Sequence, residues 1–412
     1  MKFRWEMEFK ETEIGEIPKD WEVKKINEIG EIGGGSTPST KVKDYWDGDI
    51  PWITPKDLAN HGSRFISCGE RNITRKAVIE NSLKLYPNGT ILLTSRAPIG
   101  YVAIIKNPVT TNQGFKNIAP KEGTNSEFLY YLLINISEYL KDISGGSTFE
   151  ELTKEILKDV LIPFPPLPEQ SRIATVLSWF DDLIEVKRRQ NEILEKTAMA
   201  IFKSWFIDFE PFRSCPEQER GNYEFVYNEE LGREIPKGWE VKKIGDVVKF
   251  IYGEGLPERN RKEGIYPVVG SSGIVGFHSE YIAEPPTIII GRKGNAGSVQ
   301  LFLENSYPID TVFYSSKHTA PEVIFYIYHF LKIISLEDMA LTDTAVPGLN
   351  IHMLNSLIIF IPPPHILQSF HSLIEPLFQK IILNQKQIMT LRKIRDTLLP
   401  LLVFGKLRLE EI

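Results

Sequence analysis

Ile17-Pro18-Lys19-Asp20-Trp21-Glu22-Val23-Lys24-Lys25-Ile26 returns in the middle of the chain as Ile235-Pro236-Lys237-Gly238-Trp239-Glu240-Val241-Lys242-Lys243-Ile244, changed only where Gly238 replaces Asp20. An internal repeat alters how the whole chain is read, because one polypeptide then carries two versions of one folding unit and can act as a built-in dimer. A second anchor also repeats. Thr90-Ile91-Leu92-Leu93 leads through Ser95-Arg96-Ala97-Pro98-Ile99-Gly100 to Tyr101-Val102. Its counterpart, Thr287-Ile288-Ile289-Ile290, leads through Gly291-Arg292-Lys293-Gly294-Asn295-Ala296-Gly297 to Ser298-Val299. Apolar, β-branched runs around an Arg-bearing turn predict paired strands. A third anchor closes each copy: Ile162-Pro163-Phe164-Pro165-Pro166 and Ile361-Pro362-Pro363-Pro364. Such proline runs cannot be helical, so each is a stiff hinge.

Spacing between the anchors shows where the copies differ. Trp21 to Arg96 spans 75 positions and Trp239 to Arg292 spans 53, so the first copy holds 22 extra residues. That stretch contains Gly33-Gly34-Gly35-Ser36-Thr37-Pro38 and Tyr45-Trp46-Asp47-Gly48-Asp49-Ile50-Pro51-Trp52-Ile53.

Beyond each hinge the period changes. Ile173, Leu177, Phe180, Ile184, Lys187, Asn191, Leu194, Ala198, Ile201 and Trp205 follow one another at steps of four and three. Shifted by 197, the same register gives Phe370, Ile374, Leu377, Ile381, Asn384, Ile388, Leu391, Arg395, Leu398 and Leu402. These are heptad seams with polar interruptions, which can fix register. Each covers about 33 residues, or roughly 50 Å of helix. The seams are expected to pair with each other; the competing expectation is two amphipathic helices, each packed on its own domain. Parallel pairing would put the two helix starts side by side, and antiparallel pairing would put them at opposite ends. The first helix is expected to run out near Phe206–Pro211. Residues 211–231, with Pro216 and Gly221, read as a linker. Pro400 is expected to end or kink the second helix, leaving Leu401-Leu402-Val403-Phe404-Gly405 as a docked apolar tail.

At 412 residues, with 42% hydrophobic and 25% charged residues, the chain is expected to fold as two or more globular domains. No apolar run approaches the ~18 residues of a membrane span. The charged start of the chain lacks the apolar core of a signal peptide. The two cysteines, Cys68 and Cys215, read as reduced thiols of a cytoplasmic protein. Net charge is −6, distributed as −2 over 1–160, −5 over 161–231, −2 over 232–364 and +3 over 365–412. With no basic tail, nucleic-acid binding would need local cation clusters or a partner that supplies phosphate contacts.

No catalytic constellation emerges. Glu22-Val23-Lys24 and Glu240-Val241-Lys242 match the E-x-K part of a metal-dependent nuclease but lack a suitably placed upstream Asp, and read as solvated strand edges. Gly291-x-x-Gly294-x-x-Gly297 lacks both the dinucleotide spacing and the Gly-Lys-Ser/Thr ending, and reads as a hairpin turn. His61, His278, His318, His329, His352, His365 and His371 show no metal-ligand spacing. No metal or cofactor is expected. The remaining polar chemistry is that of a reader. Arg64, Arg71, Arg75 and Lys76 cluster in the first copy, with Arg96, Asn112, Gln113 and Lys116 in or beside turns. Arg259, Asn260, Arg261 and Lys262 sit in a loop of the second copy, with Arg292 and Lys293 in a turn. Arg, Asn and Gln form paired hydrogen bonds with guanine and adenine edges, whereas Lys and turn N–H groups suit phosphate. For any one of them taken singly, a solvated surface role is the competing reading.

Together, the Ile-Pro-x-x-Trp openings, Gly34-Gly35-Ser36-Thr37-Pro38-Ser39, Tyr45-Trp46, Ile50-Pro51-Trp52, Ser95-Arg96-Ala97-Pro98-Ile99-Gly100, Asn112-Gln113-Gly114-Phe115-Lys116, Pro165-Pro166-Leu167-Pro168-Glu169-Gln170 and Gly270-Ser271-Ser272-Gly273-Ile274 resemble the specificity subunits of type I restriction-modification systems, the HsdS family. The resemblance covers essentially the whole chain. It implies an α+β fold: two similar α/β target recognition domains separated by an antiparallel coiled coil of two long helices. On this chain that gives a first recognition domain at 1–166, a first long helix at 167–210, the linker at 211–231, a second recognition domain at 232–364, and a second long helix with tail at 365–412. The resemblance also implies double-stranded DNA as ligand, one half-site per domain, and a spacer set by the helices. Two modification subunits would methylate adenine and two restriction subunits would hydrolyse ATP and cleave DNA, with no catalysis by this chain. The alternative is a non-DNA scaffold with two interaction domains on a coiled-coil rod. One departure is His365-Ile366-Leu367-Gln368 in place of Leu167-Pro168-Glu169-Gln170, which predicts a looser second hinge.

Overall fold

The repeated opening builds the same local structure twice in the computed structural model of the chain. The model describes residues 2–4, 8–96, 98–145, 151–213, 223–316, 319–340 and 348–411; Ala97, Cys215, His318 and the middle of the expected linker, 214–222, lie outside the described residues. Glu22–Lys25 forms a strand antiparallel to Leu161–Phe164. Glu240–Lys243 forms one antiparallel to Ile358–Ile361. The first and third sequence anchors of each copy are therefore hydrogen-bonded partners, so each copy closes on itself. Trp21 and Trp239, just before these strands, are both buried.

Two compact units result: Met1–Lys187 with Lys386–Ile412, and Arg188–Gln385. The first unit has a five-stranded sheet in the order Gly30–Gly34, Phe115–Pro120, Ile91–Thr94, Val102–Ile105, Phe65–Ile66. Its second sheet has Trp46–Ile53 between Thr110–Thr111 and Arg71–Ile73. The second unit repeats this plan. Its larger sheet runs Phe250–Tyr252, Val312–Ser315, Thr287–Gly291, Val299–Phe302, and its smaller one has Tyr266–Gly270 between Gly273–His278 and Tyr307–Pro308. In both units the Arg-bearing turn joins two antiparallel strands, as the apolar runs predict.

The additional residues of the first copy now have a shape. Between Ile53 and Arg71 it carries the helix Pro55–His61 and the strand Phe65–Ile66. The second unit has only Ser271 and Ser272 at this point, between Gly270 and Gly273, and among the described residues its larger sheet has four strands. The helix has its own start and stop signals. Thr54 and Asp57 cap the beginning, where Thr54 N–H donates to Asp57 Oδ2 at 2.7 Å. Pro55 supplies a fixed φ, and Gly62 ends the helix at φ 60°.

The long helices are Leu167–Phe202, continued by a π-turn over Lys203–Ile207, and Pro364–Val403. In the first unit Arg395 pairs with Asp181, and Lys187 Nζ donates to Gln387 Oε1. In the second unit Asn384 Nδ2 donates to Asn191 Oδ1 at 2.8 Å, and the Phe202 and Phe370 rings are 5.8 Å apart. Numbers rise along one helix as they fall along the other, so the pairing is antiparallel in both units. The seam residues Ile173, Leu177, Ile184, Phe370, Ile374, Ile381 and Ile388 are buried. Both sequence expectations hold at once: Ile173 and Leu177 share a core with Leu129, Leu132 and Leu133 of their own globular part and with Leu399 and Leu402 of the opposite helix. Pro400 does not end the second helix, which runs on to Val403. The tail docks as expected, with Leu402 and Val403 fully buried.

The two tryptophans are covered differently. Trp21 Nε1 donates to Glu169 Oε2 at 3.0 Å. Arg408 also grips Glu169, and pairs with both oxygens of Asp20 at 2.9 and 2.8 Å. Arg408 opens the terminal strand Arg408–Glu411, which pairs with Lys2–Arg4. In the second unit Ile366 stands where Glu169 would be, since its N–H meets Pro363 O as that of Glu169 meets Pro166 O, and Trp239 Nε1 has no acceptor among the described residues. Glu169→Leu strands a buried indole N–H and leaves the Arg408 guanidinium with Asp20 as its remaining carboxylate partner. It is expected to cost about 3–5 kcal/mol, read as a lower urea midpoint for the first unit.

His329 is buried in the second unit against Phe202, Phe370 and Phe378, its Nδ1–H donating to the Phe325 carbonyl at 2.7 Å. Burial holds its pKa down at about 4, against an ordinary value of 6.5. The folded protein therefore takes up the proton later than the unfolded chain. Its contribution is complete above pH 6.5 and is lost as pH falls toward 4, by about 3 kcal/mol. Unfolding of wild type and His329→Phe from pH 7 to 4 should differ in slope by close to one proton, with the variant flatter.

Candidate nucleic-acid interface

In both units the turn after the central strand is tied by main-chain bonds to the loop leaving the smaller sheet. Ser95 N–H donates to Gly114 O at 2.8 Å, and Arg292 N–H to Thr311 O at 2.9 Å. In the first unit this brings Arg96, Asn112, Gln113 and Lys116 to one corner. Asn112 Oδ1 accepts from Gly114 N–H at 2.9 Å, and Gln113 Oε1 from Thr37 Oγ1–H at 2.5 Å. Lys116 is mostly buried, its Nζ 3.1 Å from Glu151 and 3.2 Å from Ser95 Oγ. In the second unit the Arg292 guanidinium lies over Tyr252, 5.0 Å from the ring centre, and donates to Asp310 O at 3.2 Å. Lys293 beside it is exposed.

A second group occupies the edge strand of each smaller sheet. Arg71 opens Arg71–Ile73 and its guanidinium lies 3.5 Å from the centre of the Trp46 ring. Thr74 caps the next helix, Arg75–Glu80, through Ala77 N–H. Arg75 on that helix is exposed, and Lys76 is 3.1 Å from Asp44. The equivalent edge strand of the second unit is Gly273–His278. Arg261 Nη1 donates to Val275 O at 2.7 Å, and Lys262 N–H to His278 Nδ1 at 3.0 Å. Arg259 and Asn260 are exposed in the short turn of helix Glu258–Asn260, and Lys262 is 3.8 Å from Glu280.

Arg64 does not join either group, which corrects its place in the sequence-based set. Its side chain is only 8% exposed, 3.0 Å from Asp182 and 3.6 Å from Glu127, and it donates to the Tyr131 hydroxyl at 3.2 Å. The charge is spent on fastening the globular part to the long helix, where Tyr131 O–H also donates to Asp181 at 2.6 Å. Burial pushes the Glu127 carboxyl up, opposed by Arg64 and aided by Asp182 and Asp181. The same burial, with Asp181 beside it, pushes the Tyr131 hydroxyl up.

Sequence reasoning missed the support beneath these residues. Trp46 and Trp52 meet edge to face, 5.1 Å apart. Their indole N–H groups donate to Ser39 O at 3.2 Å and Ser36 O at 3.1 Å. The Gly-rich loop can lie this close because Gly35 has no Cβ; one would meet Thr111 O and Asn112 O at 2.2 Å. The loop thus links the Gln113 corner to the Arg71 platform. The Trp pair was visible in the sequence, but its geometry was not. Among the described residues no group of three or more His, Cys, Asp or Glu is placed to hold a metal. The E-x-K carboxylates pair along their own strands, Glu22 with Lys24 at 2.9 Å and Glu240 with Lys242 at 2.5 Å.

One mixed sheet module occurs twice, each time with polar side chains on a turn and an edge strand and with part of both long helices. That arrangement defines a duplicated recognition module. The chain belongs to the family of the type I restriction modification DNA specificity domain, whose model matches residues 18–196 and 236–393, one match in each copy. It is 54% identical over 444 aligned positions to the type I restriction enzyme MjaIX specificity subunit of Methanocaldococcus jannaschii, covering 100% of this chain and 99% of that one. The EcoprrI specificity subunit of Escherichia coli is 26% identical over 358 positions, 82% of each chain. Among solved structures, the type I restriction-modification S subunit from M. genitalium shares the fold at TM-score 0.55 and 19% identity, over 93% of this chain and 96% of that one.

Arg64→Ala removes a clamp and Arg75→Ala an exposed cation. The first is expected to lower stability by about 1–3 kcal/mol, and the second by less than about 0.5 kcal/mol. Urea unfolding of the two variants beside wild type measures both.

Proposed function

We propose that this chain reads a bipartite, asymmetric double-stranded DNA site within a type I restriction-modification complex, one half-site per unit. The recognition domains are 1–166 and 232–364, and the paired helices set the unread spacer. The observation that carries this reading is one backbone plan occurring twice with different polar side chains at the same two places. Equal frames dock alike, and unequal side chains select unlike bases. DNA contacts, to base edges for Arg, Asn and Gln and to phosphate for Lys, are assigned to Arg71, Arg75, Lys76, Arg96, Asn112, Gln113, Lys116, Arg259, Asn260, Arg261, Lys262, Arg292 and Lys293. Arg64 is withdrawn because its charge is already neutralised within the fold.

Catalysis is assigned to partners: two modification subunits that methylate adenine and two restriction subunits that hydrolyse ATP and cleave. Net charge supports this division, since a chain at −6 gains phosphate affinity from partners more readily than from itself. Apolar side chains exposed on the long helices support attachment there. Trp179, Leu183, Val186, Met389 and Ile394 lie in the first unit, and Ile193, Leu373 and Leu383 in the second. Among the described residues no helix is long and apolar enough to cross a membrane, which is compatible with a cytoplasmic complex.

Mapping methylated adenines in cells that carry the chain and its modification partner tests the reading. Exchanging residues 20–160 or 232–360 with those of a relative should change one half of the motif and leave the other. A motif indifferent to both exchanges would favour a protein scaffold. Metal-dependent cleavage by the purified chain alone would reassign the chemistry to it. Adding one heptad within 180–200 and one within 377–397 together should lengthen the spacer by about 3 base pairs. The figure comes from about 10.5 Å of helix set against 3.4 Å per base pair. The half-site letters should stay fixed.

A further inference from the structure

The Gly34-Gly35-Ser36-Thr37-Pro38-Ser39 loop and the tryptophans Trp46 and Trp52 have a collective product that the general reading leaves open. Each indole N–H is spent on a loop carbonyl, Ser39 O for Trp46 and Ser36 O for Trp52. Each ring is at least nine-tenths buried, and the two brace one another edge to face. The Trp46 face cannot turn without breaking its own hydrogen bond and the contact with Trp52. On that fixed face lies the Arg71 guanidinium, 3.5 Å from the ring centre.

Arg71 itself is exposed. No described residue forms an ion pair or hydrogen bond with its guanidinium, whereas Arg64, Arg261, Arg292, Arg395 and Arg408 all have such partners. A stacked guanidinium keeps its N–H donors in the plane parallel to the ring, directed outward at the rim. Stacking also removes much of the side-chain freedom that binding would otherwise cost. A fixed planar fork with free donors, on an edge strand, matches the two acceptors that guanine presents in the major groove, O6 and N7. A phosphate contact would not require the fork to be held flat.

Resting on the DNA-reading function proposed above, we infer that Arg71, held on the Trp46 ring, is the guanine-specifying residue of the half-site read by the first unit. Among the described residues the second unit has no equivalent. Its matching edge strand exposes Ile274, Val275 and Phe277. Its own stacked arginine, Arg292, is farther from its ring and donates to Asp310 O.

The test uses the chain assembled with its modification subunits. Methylated motifs are mapped for wild type, Arg71→Ala and Arg71→Lys. Arg71→Ala should accept any base at a single guanine of the first half-site, and Arg71→Lys should relax that position less, with all other letters and the spacer unchanged. Arg71→Lys should retain more affinity than Arg71→Ala because it keeps the charge and loses only the fork. On oligonucleotides, 7-deazaguanine at that position removes N7. It should weaken wild-type binding about tenfold, within the range of a bidentate Arg–guanine pair, and leave Arg71→Ala binding unchanged. An unaltered motif in Arg71→Ala, or a first half-site without guanine, overturns the assignment to Arg71 while leaving DNA reading intact. A wild-type complex with no bipartite motif at all overturns both.

Discussion

Antiparallel pairing of the two long helices is the constraint on which everything else depends. Each helix gives one stretch to the first unit and the next to the second, so neither unit is complete without both. Apolar seam residues supply the drive, because burying them removes most of the apolar stripe from water. Register comes from polar partners. Asp181 with Arg395 and Lys187 with Gln387 serve the first unit, and Asn191 with Asn384 the second. Asn384 is fully buried, so any slip that separates it from Asn191 strands an amide in an apolar seam. A sequence that only repeated leucine would hold the helices together without saying where.

Around that constraint the copies solve one packing problem in two ways. Both must cover the tryptophan that begins the first domain strand. The first unit uses charge: Glu169 accepts from Trp21 and is itself held by Arg408 from the last strand. The second uses rings. Trp239 lies 5.3 Å from Phe209, 5.5 Å from Phe212, 5.7 Å from Phe360 and 5.8 Å from Phe206. Exchanging a salt bridge for packed apolar groups is often neutral or favourable, provided no charge is left behind. The second unit meets that proviso, since Ile366 replaces the carboxylate and the nearby Arg233 lies over the Phe209 ring and donates to Ile207 O. What it leaves is one indole N–H, a smaller penalty than a buried ion. At His365-Ile366-Leu367-Gln368 the polar clamp of the first unit is absent, and aromatic packing covers the tryptophan in its place.

How far the sequence could be read follows from the range of the forces involved. The duplicated frame was legible because it rests on local patterns. β-branched runs at period two, a seam at steps of four and three, and proline hinges each act within a few residues. Helix polarity was not legible from the seam, which fits either direction; it followed only from the resemblance to a known family. The helix Pro55–His61 carries local cap signals in Thr54, Pro55, Asp57 and Gly62 that went unread. The strand Phe65–Ile66 was hidden because a two-residue strand is specified by its neighbour Val102–Ile105, not by its own residues. Arg64 was misplaced for the same reason. Beside Arg71 and Arg75 it looks like part of a basic surface, yet Glu127 and Asp182, more than sixty positions away, consume its charge. Trp46 and Arg71 meet across strands whose pairing shifts register between Trp46 and Ile50. A bulge of this kind breaks the alternation from which sequence reading predicts neighbours.

The division between frame and reader explains how such a protein can change what it recognises. Backbone bonds, such as Ser95 N–H to Gly114 O and Arg292 N–H to Thr311 O, fix the turns without using the side chains beside them. The polar side chains proposed as readers at those turns and on the edge strands are mostly exposed, so replacing one disturbs little packing. Effects at sites that share no partners add almost independently. Arg96 can change without disturbing the helix pair, whereas Arg64, a few ångströms from Asp182, cannot. Recognition therefore drifts where side chains face solvent over a main chain already satisfied by its own hydrogen bonds. The frame stays fixed where charges and seams are buried.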